Sequence, residues 1–200
     1  MTIHLLLEEP SAEAFFQELL PKLLPEGTLV KPIVFSGKTD LLKKLSSRLR
    51  AYSHWLPVDH RIVVLVDEDR ADCVALKKQL EDAARAAGLV TKSTSGDKPF
   101  KVLNRVAVEE LEAWFFGDVK ALVNAFPGVS PHLNKQAKYR NSDGIAGGTW
   151  EALERVLQNA GYYKGGLPKI EVARTMGKHM NPASNTSPSF NCFTSGLSAL

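Results

Sequence analysis

The chain has 200 residues, with 25 Lys and Arg against 22 Asp and Glu, so its net charge of +3 does not by itself announce a nucleic-acid or membrane-surface partner. The length allows one substantial core with a small appendage, and the ordinary apolar content excludes a disordered chain. Cys73 and Cys192 lie without ligand-type spacing, which argues against structural zinc or a disulfide framework and fits a reducing cytoplasm; no stretch reads as a signal peptide or membrane span.

Ile3 to Leu7 reads as a short strand ending in Glu8-Glu9-Pro10. Ser11 is placed as an N-cap with Glu13 in the first turn. Phe15, Phe16, Leu19, Leu20, Leu23 and Leu24 follow at helical spacing, with Pro21 set to kink or split the helix. Leu29 to Phe35 is a second strand, in which Pro32 predicts an edge position or a bulge. The turn Ser36-Gly37-Lys38-Thr39-Asp40 comes next, with Asp40 as N-cap. It imitates the end of a P-loop, but Pro32 stands where the first glycine is needed, so that reading is excluded. Leu42, Leu45, Leu49 and Tyr52 mark the inner face of the following helix, and Lys43, Lys44, Arg48 and Arg50 a solvated one.

The centre of the pattern is Arg61-Ile62-Val63-Val64-Leu65-Val66-Asp67-Glu68-Asp69. Its continuous aliphatic run predicts a strand buried on both faces of a parallel sheet. Ala71 to Ala87 is then helical and closed by Gly88, and Thr91 to Lys98 is an exposed loop. Val102 to Val108 is a fourth strand leading straight into a helical Glu109 to Phe116. Beyond it lie a short helix over Val119 to Phe126, a polar stretch with Lys135, Lys138 and Arg140, and a helix over Trp150 to Ala160. The tail from Tyr162 mixes Lys164, Lys169, Arg174, Lys178 and His179 before Phe190, Phe193, Leu197 and Leu200 dock a last short helix. The alternation predicts an α/β fold: a Rossmann-like, mostly parallel four-stranded sheet flanked by helices over residues 1–126, and a helical or irregular C-terminal extension over 127–200 packed on the same core.

Parallel strands end on one edge, where open α/β sheets place ligands. Glu8, Asp67, Asp69 and Glu109 therefore reach one rim, with Glu112 a helical turn further. In an extended strand Asp67 and Asp69 point the same way. Such a cluster repels itself unless cations or protons intervene, which suggests one or two Mg²⁺ ions. The competing reading makes Glu109, Glu110 and Glu112 first-turn acids on a helix dipole, and for Glu110 that reading is preferred. Lys38 reaches the same edge, in position to meet a phosphate or simply to face solvent. No Gly-x-Ser-x-Gly supports acyl transfer, and the five histidines are scattered.

Leu6-Leu7-Glu8-Glu9-Pro10-Ser11, Gly37-Lys38-Thr39-Asp40-Leu41-Leu42, Val66-Asp67-Glu68-Asp69 and Val108-Glu109-Glu110-Leu111-Glu112-Ala113-Trp114 together resemble a bacterial family, the domain of unknown function 4276. Met180-Asn181-Pro182 with Asn185, Ser187, Ser189 and Phe190 resembles its ending. The resemblance implies a toprim-like fold, similar to that of topoisomerases, bacterial primases and overcoming-lysogenisation-defect nucleases. It implies Glu8 as general acid/base or metal ligand, Asp67 and Asp69 as holders of Mg²⁺ or Mn²⁺, and Glu109 or Glu112 as completing a two-metal site. Toprim usually has glycine where this chain has Glu9. The expected activity is a metal-dependent phosphodiesterase or nuclease, acting on DNA in preference to RNA, with Lys38, Lys164 and Lys178 on the backbone. A cytoplasmic setting in phage defence beside an ATPase partner is implied too. The alternatives are a catalytically silent module regulating an ATPase and a small phosphohydrolase or nucleotidyl-transfer enzyme.

Overall fold

Four apolar runs become strands: β1 (Thr2–Leu7), β2 (Leu29–Val34), β3 (His60–Asp67) and β4 (Val102–Ala107). The computed structural model describes all 200 residues and pairs these strands in the order β2-β1-β3-β4, parallel throughout. The central strands carry the continuous apolar sequences: every residue of β1 and Ile62 to Val66 of β3 are buried. That is what a strand covered on both faces requires. Pro32 lies on edge strand β2, paired with Leu5. Leu29 N and Phe35 N donate into β1, so by alternation the missing N–H of Pro32 faces outward, where no ladder bond is lost.

The strand order places the helices. Helix α1 (Pro10–Leu19) connects β1 to β2 in one direction across the sheet. Helices α2 (Lys38–Trp55) and α3 (Cys73–Ala86) connect the strands running the other way. Crossovers of one hand then put α1 on one face and α2 with α3 on the opposite face. The two cores agree. Leu6, Val64 and Val66 pack with Leu41, Leu45, Leu49, Leu76 and Leu80 on one side. Ile3, Leu5, Val63 and Leu65 pack with Phe15, Phe16 and Trp114 on the other.

That second face also receives α4 (Glu112–Phe116), α5 (Val119–Ala125), α6 (Thr149–Asn159), α7 (Lys169–His179) and α8 (Pro188–Leu197). Their residues share one apolar cluster with the sheet. Helix α7 lies against α1 so closely that a Cβ on Gly177 would sit 2.5 Å from Phe15 O. Lys22 Nζ caps its C-terminus, donating to the carbonyls of Gly177 at 2.8 Å and Met180 at 3.0 Å. Asp143 anchors α8: its carboxylate accepts from Ser189 N at 2.7 Å and Ser187 Oγ at 2.6 Å. Trp114 Nε1 donates to Ser189 Oγ at 2.8 Å, and Asn185 Nδ2 donates to Trp114 O at 2.7 Å. No helix is long and apolar enough to cross a membrane.

Four local expectations change. The first helix begins at Pro10 after Glu9, and Ser11 Oγ bonds back to Glu9 instead of capping. The second helix is entered through Gly37 at φ 92°, leaving Asp40 inside its first turn. Strand β4 does not run straight into a helix, because Glu109 has φ 62° and breaks the chain direction there. And Lys169–His179, read only as part of a basic tail with no element assigned, is a helix with Val172, Ala173 and Met176 buried.

Candidate functional site

Strand order reverses at β1: the chain leaves it for β2 on one side and returns for β3 on the other. The crevice between the C-terminal ends of β1 and β3 is therefore the topological switch point, the usual ligand position in open α/β sheets. Glu8 follows the last residue of β1, and Asp67 is the last residue of β3. Asp67 N donates to Glu8 Oε1 at 2.5 Å, so this pair spans the crevice.

Burial pushes the Glu8 carboxyl up to about 7, against the pull of the Asp67 N–H and the Lys38 ammonium. Asp67 is raised well above its ordinary value, first by burial and then by the charges of Glu8 and Glu112. Glu112, only 4% exposed, is pushed up to about 7, again chiefly by burial; Lys169 opposes the shift, while Glu110 and Glu9 add to it. Glu8, Asp67 and Glu112 therefore form one electrostatic group. Of the two acids expected to complete the site, Glu112 is the one whose charge Asp67 feels. Glu109 titrates high for another reason, burial plus the neighbouring Glu68 and Glu110.

Asp69 departs from the extended geometry expected of it. Strand β3 stops at Asp67, and Asp69 turns left-handed at φ 49°. Its N–H donates to Glu109 O at 2.7 Å. Glu68 fastens the same turn: its Oε1 accepts from Cys73 N at 3.1 Å and its Oε2 from Glu109 N at 3.0 Å. This carboxylate holds the loops after β3 and β4 together, which explains how two non-glycine residues tolerate positive φ.

Lys38 does not face solvent. Its Nζ donates to the carbonyls of Asp67 and Glu68, both at 2.9 Å, and pairs with Asp69 Oδ2 at 2.6 Å. It thus caps the open end of β3 and neutralises one of the rim acids. Lys164 is exposed in the connection between α6 and α7. Lys178 lies at the far end of α7, its Nζ 4.0 Å from Glu18. Nine residues of helix separate it from Lys169, about 13 Å. Lys178 and the acidic group are therefore not brought together, whereas Lys169, not singled out from sequence, is.

Next to this group opens a polar cleft of about 450 Å³ lined by Asp69, Arg70, Glu109, Glu110, Glu151 and the backbone of Gly147-Gly148. Glu110 serves a helix other than the one expected: its Oε2 accepts from Trp150 N at 2.7 Å and Thr149 Oγ1 at 2.9 Å, capping α6. The double glycine before that helix, both residues at positive φ, was the sequence signal for this wall.

The donors are carboxylates throughout, the hard oxygen chemistry that suits Mg²⁺ or Mn²⁺. No group of three or more His, Cys, Asp and Glu side chains converges to hold a metal ion as a ready cage. A cation held by one or two such carboxylates would need waters or other oxygens to complete its shell.

The model of a family described as "Domain of unknown function (DUF4276)" matches residues 7–198, so it spans the rim acids, the cleft and the C-terminal helices alike. No curated protein and no solved structure matches the chain.

Proposed function

The chain belongs to the DUF4276 family, and from that footing we propose that its acidic rim is the active site of a Mg²⁺- or Mn²⁺-dependent nuclease cleaving nucleic-acid phosphodiesters. The observation that carries the reading is the pairing of Glu8 with Asp67 across the β1/β3 switch point, with Glu112 buried behind them. Unneutralised carboxylates at that position are what an open divalent-cation site needs. Glu8 and Asp67 would hold the ion, flanked by Glu112. When bound, the cation supplies a lower pKa for a coordinated water and charge stabilisation on the phosphoryl oxygens.

The chain's own groups have separate tasks. Glu8, pushed up to about 7, gives up its proton near neutral pH as the cation takes its place, so ion binding is favoured as pH rises through that value. Lys38 holds the end of β3 and fixes Asp69. Glu68 keeps the two loops in register. Lys169 tempers the charge of Glu112. The phage-defence setting, the ATPase partner and the toprim relationship belong to this reading and stand or fall by their own tests.

A second reading, a silent module that regulates an ATPase, is favoured by one feature: Lys38 already neutralises Asp69. Cleavage of plasmid and single-stranded DNA with Mg²⁺ or Mn²⁺ decides between them. The nuclease reading requires cleavage that is lost in Asp67→Ala; a wild-type protein inert under every metal condition would leave the regulatory reading in front.

A further inference from the structure

Beside the acidic cleft is a second, smaller recess of about 160 Å³, and its charge is opposite. Lys138 and Arg155 line it, together with Asn141 and the smaller or apolar Tyr139, Gly144, Ile145 and Ala146. Neither cation has a carboxylate within ion-pair distance, and both side chains are exposed. Lys138 Nζ lies 4.6 Å from the centre of the Tyr139 ring, which stacks on Phe116, so its base is supported by the core.

Two separate chain links tie this recess to the acidic cleft. Ala146 lines the recess and Gly147, the next residue, lines the cleft. Arg155 lines the recess, while Glu151, one turn earlier on α6, lines the cleft. One helical turn advances about 6 Å, roughly two nucleotide steps at the 3.4 Å rise of a stacked strand. From this juxtaposition we infer that the Lys138/Arg155 recess is a phosphate subsite for the backbone of single-stranded nucleic acid. It holds a phosphate about two nucleotides from the one presented to the acidic rim, which otherwise repels the polymer. Arg155 supplies a planar fork for two phosphate oxygens, and Lys138 a point charge. The inference rests on the reading of the rim as a phosphodiester site and names how its substrate is held.

The test is fluorescence anisotropy with a labelled 20-nucleotide oligo(dT), in EDTA so that no cleavage intervenes, across a salt series. Asp67→Ala is expected to bind at least as tightly as wild type, because one rim acid is gone and no metal is present. The Lys138→Ala/Arg155→Ala double variant is expected to bind at least 10-fold more weakly, with the salt slope shallower by about 1.4. Lys138→Arg/Arg155→Lys should restore most of the binding, and Arg50→Ala, on the opposite face of the sheet, should change nothing. Double-variant binding equal to wild type overturns the subsite, whatever the metal-dependent cleavage assay gives. Wild-type binding of inorganic phosphate without binding of the oligonucleotide overturns the polymer assignment. Loss of cleavage in Asp67→Ala with binding retained separates the rim from the recess. Cleavage retained in Asp67→Ala defeats the rim reading alone.

Discussion

Replacing Glu112 by Gln removes a buried charge and keeps its shape. In the fold this carboxyl is pushed up to about 7, against 4.5 for an ordinary glutamate, a difference corresponding to about 3 kcal/mol. A raised carboxyl pKa means that the folded protein holds the proton more tightly than the unfolded chain. Stability is therefore greatest below about pH 4.5 for this group and falls as pH rises towards 7. Above pH 7 the wild type bears the full cost of the buried charge, and the glutamine variant does not. Glu112→Gln is expected to be more stable at pH 8 in EDTA by up to about 3 kcal/mol. For a chain of 200 residues that is roughly 6–12 °C in Tm. At pH 5 the difference should shrink to about a quarter of this. Urea unfolding at pH 5 and pH 8 reads both values. A variant equally affected at the two pH values, or destabilised at pH 8, would refute the account of the charge.

Lys38→Met removes an ion pair and two hydrogen bonds to β3 carbonyls; a loss of about 2–3 kcal/mol is expected in urea unfolding. Gly177→Ala forces a Cβ against Phe15 O at 2.5 Å; overpacking of α1 against α7 should cost about 1–3 kcal/mol, measured by thermal unfolding. Gly148→Ala, at φ 88° and directed at the Glu151 carboxylate, is expected to lower stability by about 1 kcal/mol or more and to weaken cleavage by disturbing the cleft wall. Saturating Mn²⁺ at 100 times its Kd should raise wild-type stability by about 2.7 kcal/mol at pH 8, and Asp67→Ala by much less.

The framework of the sheet was legible because burial on two faces leaves a plain mark: Ile62 to Val66 could be little else than a central strand. Pro32 marked the edge for a reason equally local, the missing N–H. Glu8 and Asp67 could be placed at one rim as soon as the strands were parallel. What could not be read depends on contacts distant in sequence. The burial of Glu112 follows from the C-terminal helices packing over that face, and α7 itself was hidden by its charged residues, Lys169 turned towards Glu112 and Arg174 and Lys178 towards solvent. Its Val172, Ala173, Met176 and Met180 did carry a helical spacing. The left-handed turns at Asp69 and Glu109 are imposed by the Glu68 carboxylate and a β3–β4 backbone bond, not by residue preference. Lys38 looked like a surface cation because nothing in its neighbours reveals two carbonyls waiting at the end of another strand.

Calorimetric titration of Mn²⁺ and Mg²⁺ into wild type and Asp67→Ala, with DNA cleavage followed on the same samples, tests the central claim most directly. A divalent-cation site at the Glu8/Asp67 crevice predicts binding and cleavage by the wild type and the loss of both in the variant. A wild type that binds neither ion, or a variant that binds and cleaves as the wild type does, would contradict it.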